Sequence, residues 1–312
     1  MIFTKLRNPK HKILNKSKGP KFKEMNNTIS AFPSVGICAF RKSGNYLLIR
    51  IFKAIFEQLN CWDSYSLYTR CWEGKFQKDE LSYPEEAEID EFFLRNGQFI
   101  LYKGPYQIPI NVPSEELDLL KRKSRLILTH QAPTDKHIRL LNHERKWIYV
   151  LRDGRAVINS WMHYAVSPVL LKRHPQEYKI QDVQELYELP GYLEKHIKRW
   201  KEHVEAFKKL KNKFLLVKFE ELLKNKQRQI ERILEYLGFQ EDIDVQSILE
   251  QTQFSVMKRE APIHVRKGQS NDWRHYFSFE QTNLFRQIAG DILIEFGYEK
   301  DHTWVKDESS IV

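Results

Sequence analysis

The chain has 312 residues, with 51 lysines and arginines against 41 aspartates and glutamates, a formal charge of +10. With 41% hydrophobic and 13% aromatic residues it carries the apolar side chains of a large core, which excludes global disorder. A run of about 18 apolar residues is absent, which excludes a helical membrane span, and the N-terminal stretch lacks the apolar heart of a secretory leader. The cysteines, Cys38, Cys61 and Cys71, show no metal-ligand spacing, so a reducing, cytoplasmic setting and no bound metal are expected.

Residues 1–31 hold Lys5, Arg7, Lys10, Lys12, Lys16, Lys18, Lys21 and Lys23 without apolar periodicity, and read as a flexible basic tail. Val35–Phe40 is a short apolar run of buried-strand type, followed by the polar turn Arg41-Lys42-Ser43-Gly44-Asn45. Leu47, Leu48, Ile51, Phe52, Ile55 and Phe56 then recur at helical spacing. A strand therefore runs through a tight turn into a helix N-terminus, where free N–H groups and the positive dipole end can hold an anion. Gly44 permits close backbone approach and Lys42 adds a mobile charge. The same pattern also suits an ordinary strand–helix turn, and the triphosphate loop G-x-x-x-x-G-K-(S/T) is absent.

Residues 60–124 are read as surface structure on the acceptor side of a site. Their acidic run Asp79–Asp90 is expected in an exposed loop or helix, and the prolines of Ile108–Pro113 suggest loops. Trp62, Tyr65, Tyr68, Trp72, Tyr83, Tyr102 and Tyr106 enrich this region. They suit either stacking on an acceptor or filling core. Further strands are expected at Arg125–Thr129, Lys146–Leu151 and Phe214–Phe219, and helices at Ala156–Tyr164, Gly191–Lys208 and Glu220–Leu237. Strands alternating with helices predict an α/β, three-layer sandwich with a central parallel sheet. Lys42, His130, Arg152 and Glu220 then share the C-terminal edge of that sheet, where such folds bind ligands.

Three segments together resemble the sulfotransferase family that uses 3′-phosphoadenosine 5′-phosphosulfate (PAPS). FRKSGNYLL resembles its 5′-phosphosulfate loop, P-K-S-G-(T/N)-T-W-L. YVLRDGRAVINSWMHY resembles its 3′-phosphate segment, with Arg152 and Ser160 at the arginine and serine. VRKGQSNDWRHYFSFEQ resembles its late element, with Arg266, Lys267, Gly268, Asp272 and Trp273. RLILTHQAP resembles the segment that carries the catalytic histidine, here His130. The resemblance implies a P-loop NTPase-like fold over residues 32–300, followed by a short tail at 301–312.

The resemblance also implies a division of labour. Lys42, Ser43, Gly44, Asn45 and Tyr46 would hold the phosphosulfate. Arg152, Ser160, Arg266, Lys267 and Gly268 would hold the 3′-phosphate, and Phe219, Thr252 and Phe254 would lie near adenine. His130 would be the general base, Lys42 would stabilise the leaving phosphate oxygen, and Ser160 would restrain Lys42. Departures from the family pattern are Tyr46 and Leu47 in the loop, Leu128 where a lysine is frequent, and Asn271 for a glycine. Arg274, Ser278, Phe279 and Asn283 replace the animal dimer motif, so that dimer is not expected. The implied acceptor is a hydroxyl-bearing small molecule or carbohydrate. The alternatives left open are a nucleotide or small-molecule kinase on a related fold, which needs a true triphosphate loop, and a nucleic-acid binder suggested by the +10 charge.

Overall fold

The computed structural model describes residues 12–13, 34–62 and 83–305, with short interruptions at 104–105, within 113–123, and at 142–144 and 240–241. Its sheet has eight strands: β1 (Lys12–Ile13), β2 (Val35–Ala39), β3 (Asp90–Arg95), β4 (Gln98–Lys103), β5 (Tyr106–Ile110), β6 (Leu126–Thr129), β7 (Lys146–Leu151) and β8 (Leu215–Lys218). Their spatial order is β1-β5-β4-β3-β6-β2-β7-β8. β3, β6, β2, β7 and β8 are mutually parallel, whereas β3–β4 and β4–β5 pair antiparallel.

The expected parallel core is present, with β2 between β6 and β7. The region read as loops widens it. Ile108 and Pro109 lie inside β5, which β1 covers only at Tyr106 and Gln107. Proline is compatible with a strand where its missing N–H faces no ladder partner. Within 1–31, Lys12 and Ile13 pair with β5, and the remainder lies outside the described residues.

The helices are α1 (Asn45–Gln58), α2 (Asp135–Leu140), α3 (Gly154–Ala165), α4 (Pro168–Arg173), α5 (Val183–Glu188), α6 (Tyr192–Lys209), α7 (Phe219–Lys224), α8 (Lys226–Leu237), α9 (Val245–Gln251), α10 (Phe254–Glu260) and α11 (Phe279–Glu295). The single helix expected over Glu220–Leu237 is two, because Asn225 breaks it. The Asn225 side chain caps α8 by accepting from the Arg228 N–H at 3.3 Å, an interaction that favours a helix start over a helix interior.

Strand alternation builds both faces of the sandwich. Ile37, Ala39, Ile148 and Val150 join Leu48, Ile51 and Phe52 of α1 and Ile230 and Ile233 of α8 in one core. Cys38, Trp147, Tyr149 and Leu151 join α3, α6 and α11 through Val157, Trp200, Val204 and Phe285 in the other. Both faces being covered explains why these strands read as unbroken apolar runs. Cys38 and Cys61 are buried. No described helix is long and apolar enough to cross a membrane.

Residues 79–82 of the acidic run lie outside the described residues, and the rest of it is not a solvated loop. Glu85, Glu86 and Asp90 are buried, and Pro84–Ala87 forms a 3-10 turn. Arg50 donates to Glu85 at 2.6 Å, Arg173 donates to Glu86 at 2.9 Å, and Ser124 bonds Asp90. Their cationic partners lie 35 and 87 residues away in sequence, beyond any local pattern.

Candidate functional site

The turn after β2 holds two left-handed residues, Lys42 (φ 66°) and Gly44 (φ 101°). At Gly44 a side chain is excluded twice, by that φ and by the Phe219 ring, which a Cβ would strike. The turn delivers the N–H groups of Asn45 and Tyr46 at the first turn of α1, where a helix offers them no internal acceptor. The Lys42 ammonium stands 4.4 Å from the Tyr164 ring centre. Burial, followed by the charges of Arg152 and Arg266, pushes its pKa down to about 7.

Arg152 leaves the end of β7 and ties two segments together. Its guanidinium donates to the Lys42 and Gln269 carbonyls, each at 3.0 Å, and lies 4.6 Å from the Phe219 ring centre. Its Nε is buried with no protein partner, a donor suited to an anion. Asp272 organises the second segment. It accepts from Arg266 at 2.5 Å, Lys267 at 2.6 Å and Asn159 at 3.0 Å. Burial alone would raise the Asp272 carboxyl, but the hydrogen bonds from Lys267, Arg266 and Asn159 hold it below its usual range. Gly268 (φ 64°) lies under the Phe254 ring, 2.6 Å from where a Cβ would stand.

His130 follows β6. Its Nδ1 lies 3.0 Å from the Ala39 carbonyl and 3.3 Å from the Asn45 amide. A carbonyl only accepts, so Nδ1 carries the proton, and the Asn45 amide must turn its oxygen toward that N–H. The turned amide also gives a donor to Asn45 Oδ1, otherwise buried without one. Nε2 is left with its lone pair, 4.0 Å from Glu91. Burial first, then the charge of Arg41, pushes His130 down to about 3, while the bond to Ala39 opposes this. The ring is therefore neutral near pH 7.

One cavity of about 530 Å³ is lined by His130, Lys42, Gly44, Asn45 and Tyr46, and equally by Arg152, Ser160, Phe219, Thr252, Phe254, Arg266, Lys267 and Gly268. Ser43 is buried and does not line it. The Thr252 hydroxyl donates to the Ile248 carbonyl at 2.7 Å, so it offers the cavity no free donor. Leu47 and Leu128 also face the cavity, where they supply apolar surface. Of the aromatic residues in the 60–124 region, Tyr83 and Tyr102 line it, whereas Tyr65, Tyr68 and Trp72 lie outside the described residues.

Sequence reasoning gave no role to Asn159, Tyr187, Tyr164 or Glu91. Asn159 is held by the Tyr187 hydroxyl at 2.6 Å and in turn holds Asp272. Its place one residue before Ser160 was the available signal. Among the described residues no group of histidine, cysteine, aspartate and glutamate side chains is arranged to hold a metal ion. The cavity thus joins two cation clusters bridged by Arg152, with glycines under aromatic rings between them, a donor set matching a ligand with two anionic ends and a flat centre.

These features make a candidate site for a doubly anionic ligand on an α/β sheet. A family model described as a sulfotransferase domain matches residues 33–297. The chain belongs to the PAPS-dependent sulfotransferase family and is an enzyme of that class. The assignment makes the chain a sulfotransferase rather than a kinase or a non-enzymatic binder. Sulfotransferase 2A1 of Rattus norvegicus is 24% identical over 203 residues, covering 57% of this chain and 67% of that protein. Sulfotransferase 1B1 of Mus musculus is 24% identical over 244 residues, covering 65% and 76%. The structure of mouse sulfotransferase SULT7A1 complexed with PAP, the desulfo form of the donor, superposes with a TM-score of 0.55 at 20% identity over 85% of each chain. That likeness shows the shared fold.

Proposed function

We propose that this enzyme moves a sulfuryl group from PAPS to a hydroxyl, less readily an amine, of a small-molecule or carbohydrate acceptor. The observation that carries the reading is that one cavity unites the Lys42 turn, the Arg152–Arg266–Lys267 cluster and the lone pair of His130 Nε2. In this reading Lys42 and the N-terminus of α1 hold the phosphosulfate. Arg152, Ser160, Arg266, Lys267 and Gly268 hold the 3′-phosphate, and Phe219, Thr252 and Phe254 flank adenine.

The acceptor oxygen attacks sulfur, and its proton passes to His130 Nε2. The bond from sulfur to the 5′-phosphate oxygen breaks, and the electron pair leaves with the phosphate toward Lys42. Ser160 engages Lys42 when no acceptor is present and restrains donor hydrolysis. Burial is the first cause of the low His130 pKa, and the field of the cations Arg41 and Lys42 adds to it in the empty site. A polyanionic donor offsets that field and raises the ring's basicity, and Glu91 at 4.0 Å stabilises the imidazolium as it forms.

The test is incubation with labelled PAPS and a panel of hydroxyl acceptors, alongside calorimetry with PAP. The expected result is a sulfated product, lost in His130→Ala with PAP affinity retained. A protein that binds neither PAPS nor PAP would refute the reading.

A further inference from the structure

The turn that presents Lys42 also presents a second cation. Arg41 and Lys42 are adjacent, but the left-handed backbone at Lys42 (φ 66°) separates their directions. Lys42 turns toward Tyr164, Arg152 and Arg266. The Arg41 guanidinium lies 5.6 Å from the Trp161 ring centre. It is near enough to His130, Tyr102, Tyr178 and His196 to bear on the ionisation of each. Those residues, with Arg199, belong to the cavity wall. Among the described residues no carboxylate pairs with Arg41. Arg173, the other arginine on this wall near Tyr102, is already committed to Glu86 at 2.9 Å.

A guanidinium over an indole face, open to a cavity and without a carboxylate partner, is a receptor for a planar or tetrahedral anion. Resting on the sulfotransferase reading above, we propose that the acceptor carries an anionic group, carboxylate or sulfate, which Arg41 receives beside Trp161 while the acceptor hydroxyl faces His130. Glu91 and Glu177 also line this wall and would favour a cation instead. Glu91, however, sits at His130 Nε2, where it serves the proton; Glu177 and Arg41 are both exposed, and Arg41 is the one seated against the Trp161 ring. The apolar faces of Trp161, Tyr102 and Tyr178 suit the ring of such an acceptor.

The experiment compares acceptors matched in shape and differing in charge. One set is 4-hydroxyphenylacetate, 4-hydroxybenzenesulfonate, tyrosol and tyramine; a second is glucuronate, glucose and glucosamine. Each is assayed with labelled PAPS on the full chain, in wild type, Arg41→Gln and Arg41→Lys, with PAP affinity measured in parallel. In at least one set the anionic member is expected to exceed its neutral mate in kcat/KM by about tenfold, as one charged hydrogen bond allows. Arg41→Gln should erase that preference through KM, Arg41→Lys should restore part of it, and PAP affinity should not change. A neutral or cationic preference, or an anionic preference that survives Arg41→Gln, overturns the proposal. So does weakened PAP binding in Arg41→Gln, which would assign the arginine to the donor. PAP binding without turnover of any member overturns it too and leaves the donor reading standing, whereas absent PAP binding sinks both.

Discussion

Lys42 is poised to take up a proton when nucleotide binds. Burial and the neighbouring charges of Arg152 and Arg266 push its pKa down to about 7 in the empty site. At pH 8 a group of that pKa is about nine-tenths deprotonated. A 5′-phosphate against the ammonium supplies an opposite charge that offsets the depression and restores the charged form. Binding of PAP at pH 8 should therefore take up close to one proton through this side chain. The buried histidines of the cavity do not contribute at that pH: His130 and His196 are pushed down to about 3 and burial holds His264 well below its usual value, far below the assay. The measurement is calorimetry at pH 8 in buffers of different ionisation enthalpy, which reads proton uptake directly. Lys42→Arg keeps a permanent charge and should bind PAP without uptake. Tight PAP binding with the same heat in every buffer would refute the argument that the empty site holds Lys42 largely neutral.

Arg152→Ala should weaken PAP binding by about 1.5–3 kcal/mol, the range of a charged hydrogen bond, and unchanged affinity would remove Arg152 from the donor site. Gly268→Val must meet the Phe254 ring at a left-handed φ, so PAP affinity should fall with the fold intact by circular dichroism; wild-type affinity would contradict this. Arg155 is buried, pairs with Asp153 at 2.7 Å and with Glu299, and lies 4.3 and 4.5 Å from the ring centres of Trp273 and Trp304. Arg155→Met strands both carboxylates and should cost about 3–5 kcal/mol in urea unfolding; a shift under 1 kcal/mol, about the worth of a surface pair, would contradict that. Burial lowers His130, His137, His196 and His203 to about 3 or 4. The unfolded chain gains protons below about pH 6.5 that the folded chain refuses. Stability should therefore fall steadily from pH 6.5 to pH 4, and an unchanged urea midpoint across that window would contradict it.

The parallel core was legible because its strands are short apolar runs separated by helical periods. Lys146–Leu151 has the bounds read from sequence, and the helix after Asp153 begins where that side chain caps it, accepting from the Arg155 N–H at 2.9 Å. The motifs that define the site were legible for the same local reason: turn, strand end and helix start are contiguous in the chain. The meander β3–β5 was not legible. Its polar and proline-containing strands sit toward the sheet margin, where pairing rather than apolar sequence fixes them. Glu85 and Glu86 misled for a related reason. A carboxylate run reads as solvated until its cations are known, and Arg50 and Arg173 come from α1 and α4. Asp272 was visible as a motif letter, but its work of holding Arg266 and Lys267 depends on geometry alone.

Converging Lys42, Arg152, Arg266 and Lys267 on one cavity is electrostatically costly, and the fold meets that cost differently at each end. At the end proposed for the 3′-phosphate Asp272 neutralises part of the charge, and Arg152 is aimed by backbone carbonyls rather than by a carboxylate. That cluster is held in place before ligand arrives, so little reorganisation opposes binding. At the proposed reacting end no carboxylate bonds Lys42 among the described residues; an aromatic face and a lowered pKa carry it instead. A carboxylate there would shield the lysine from the leaving phosphate oxygen, whereas an aromatic face leaves it available. The difference predicts a division in mutants of the two ends. Asp272→Asn should loosen Arg266 and Lys267 and raise the Kd for PAP while sparing the chemical step in single-turnover assays at saturating PAPS. Tyr164→Leu removes the face beside Lys42 and should slow that step more than it weakens PAP binding. If both substitutions change PAP affinity and single-turnover rate in the same ratio, the two ends do not act separately and this account of the site fails.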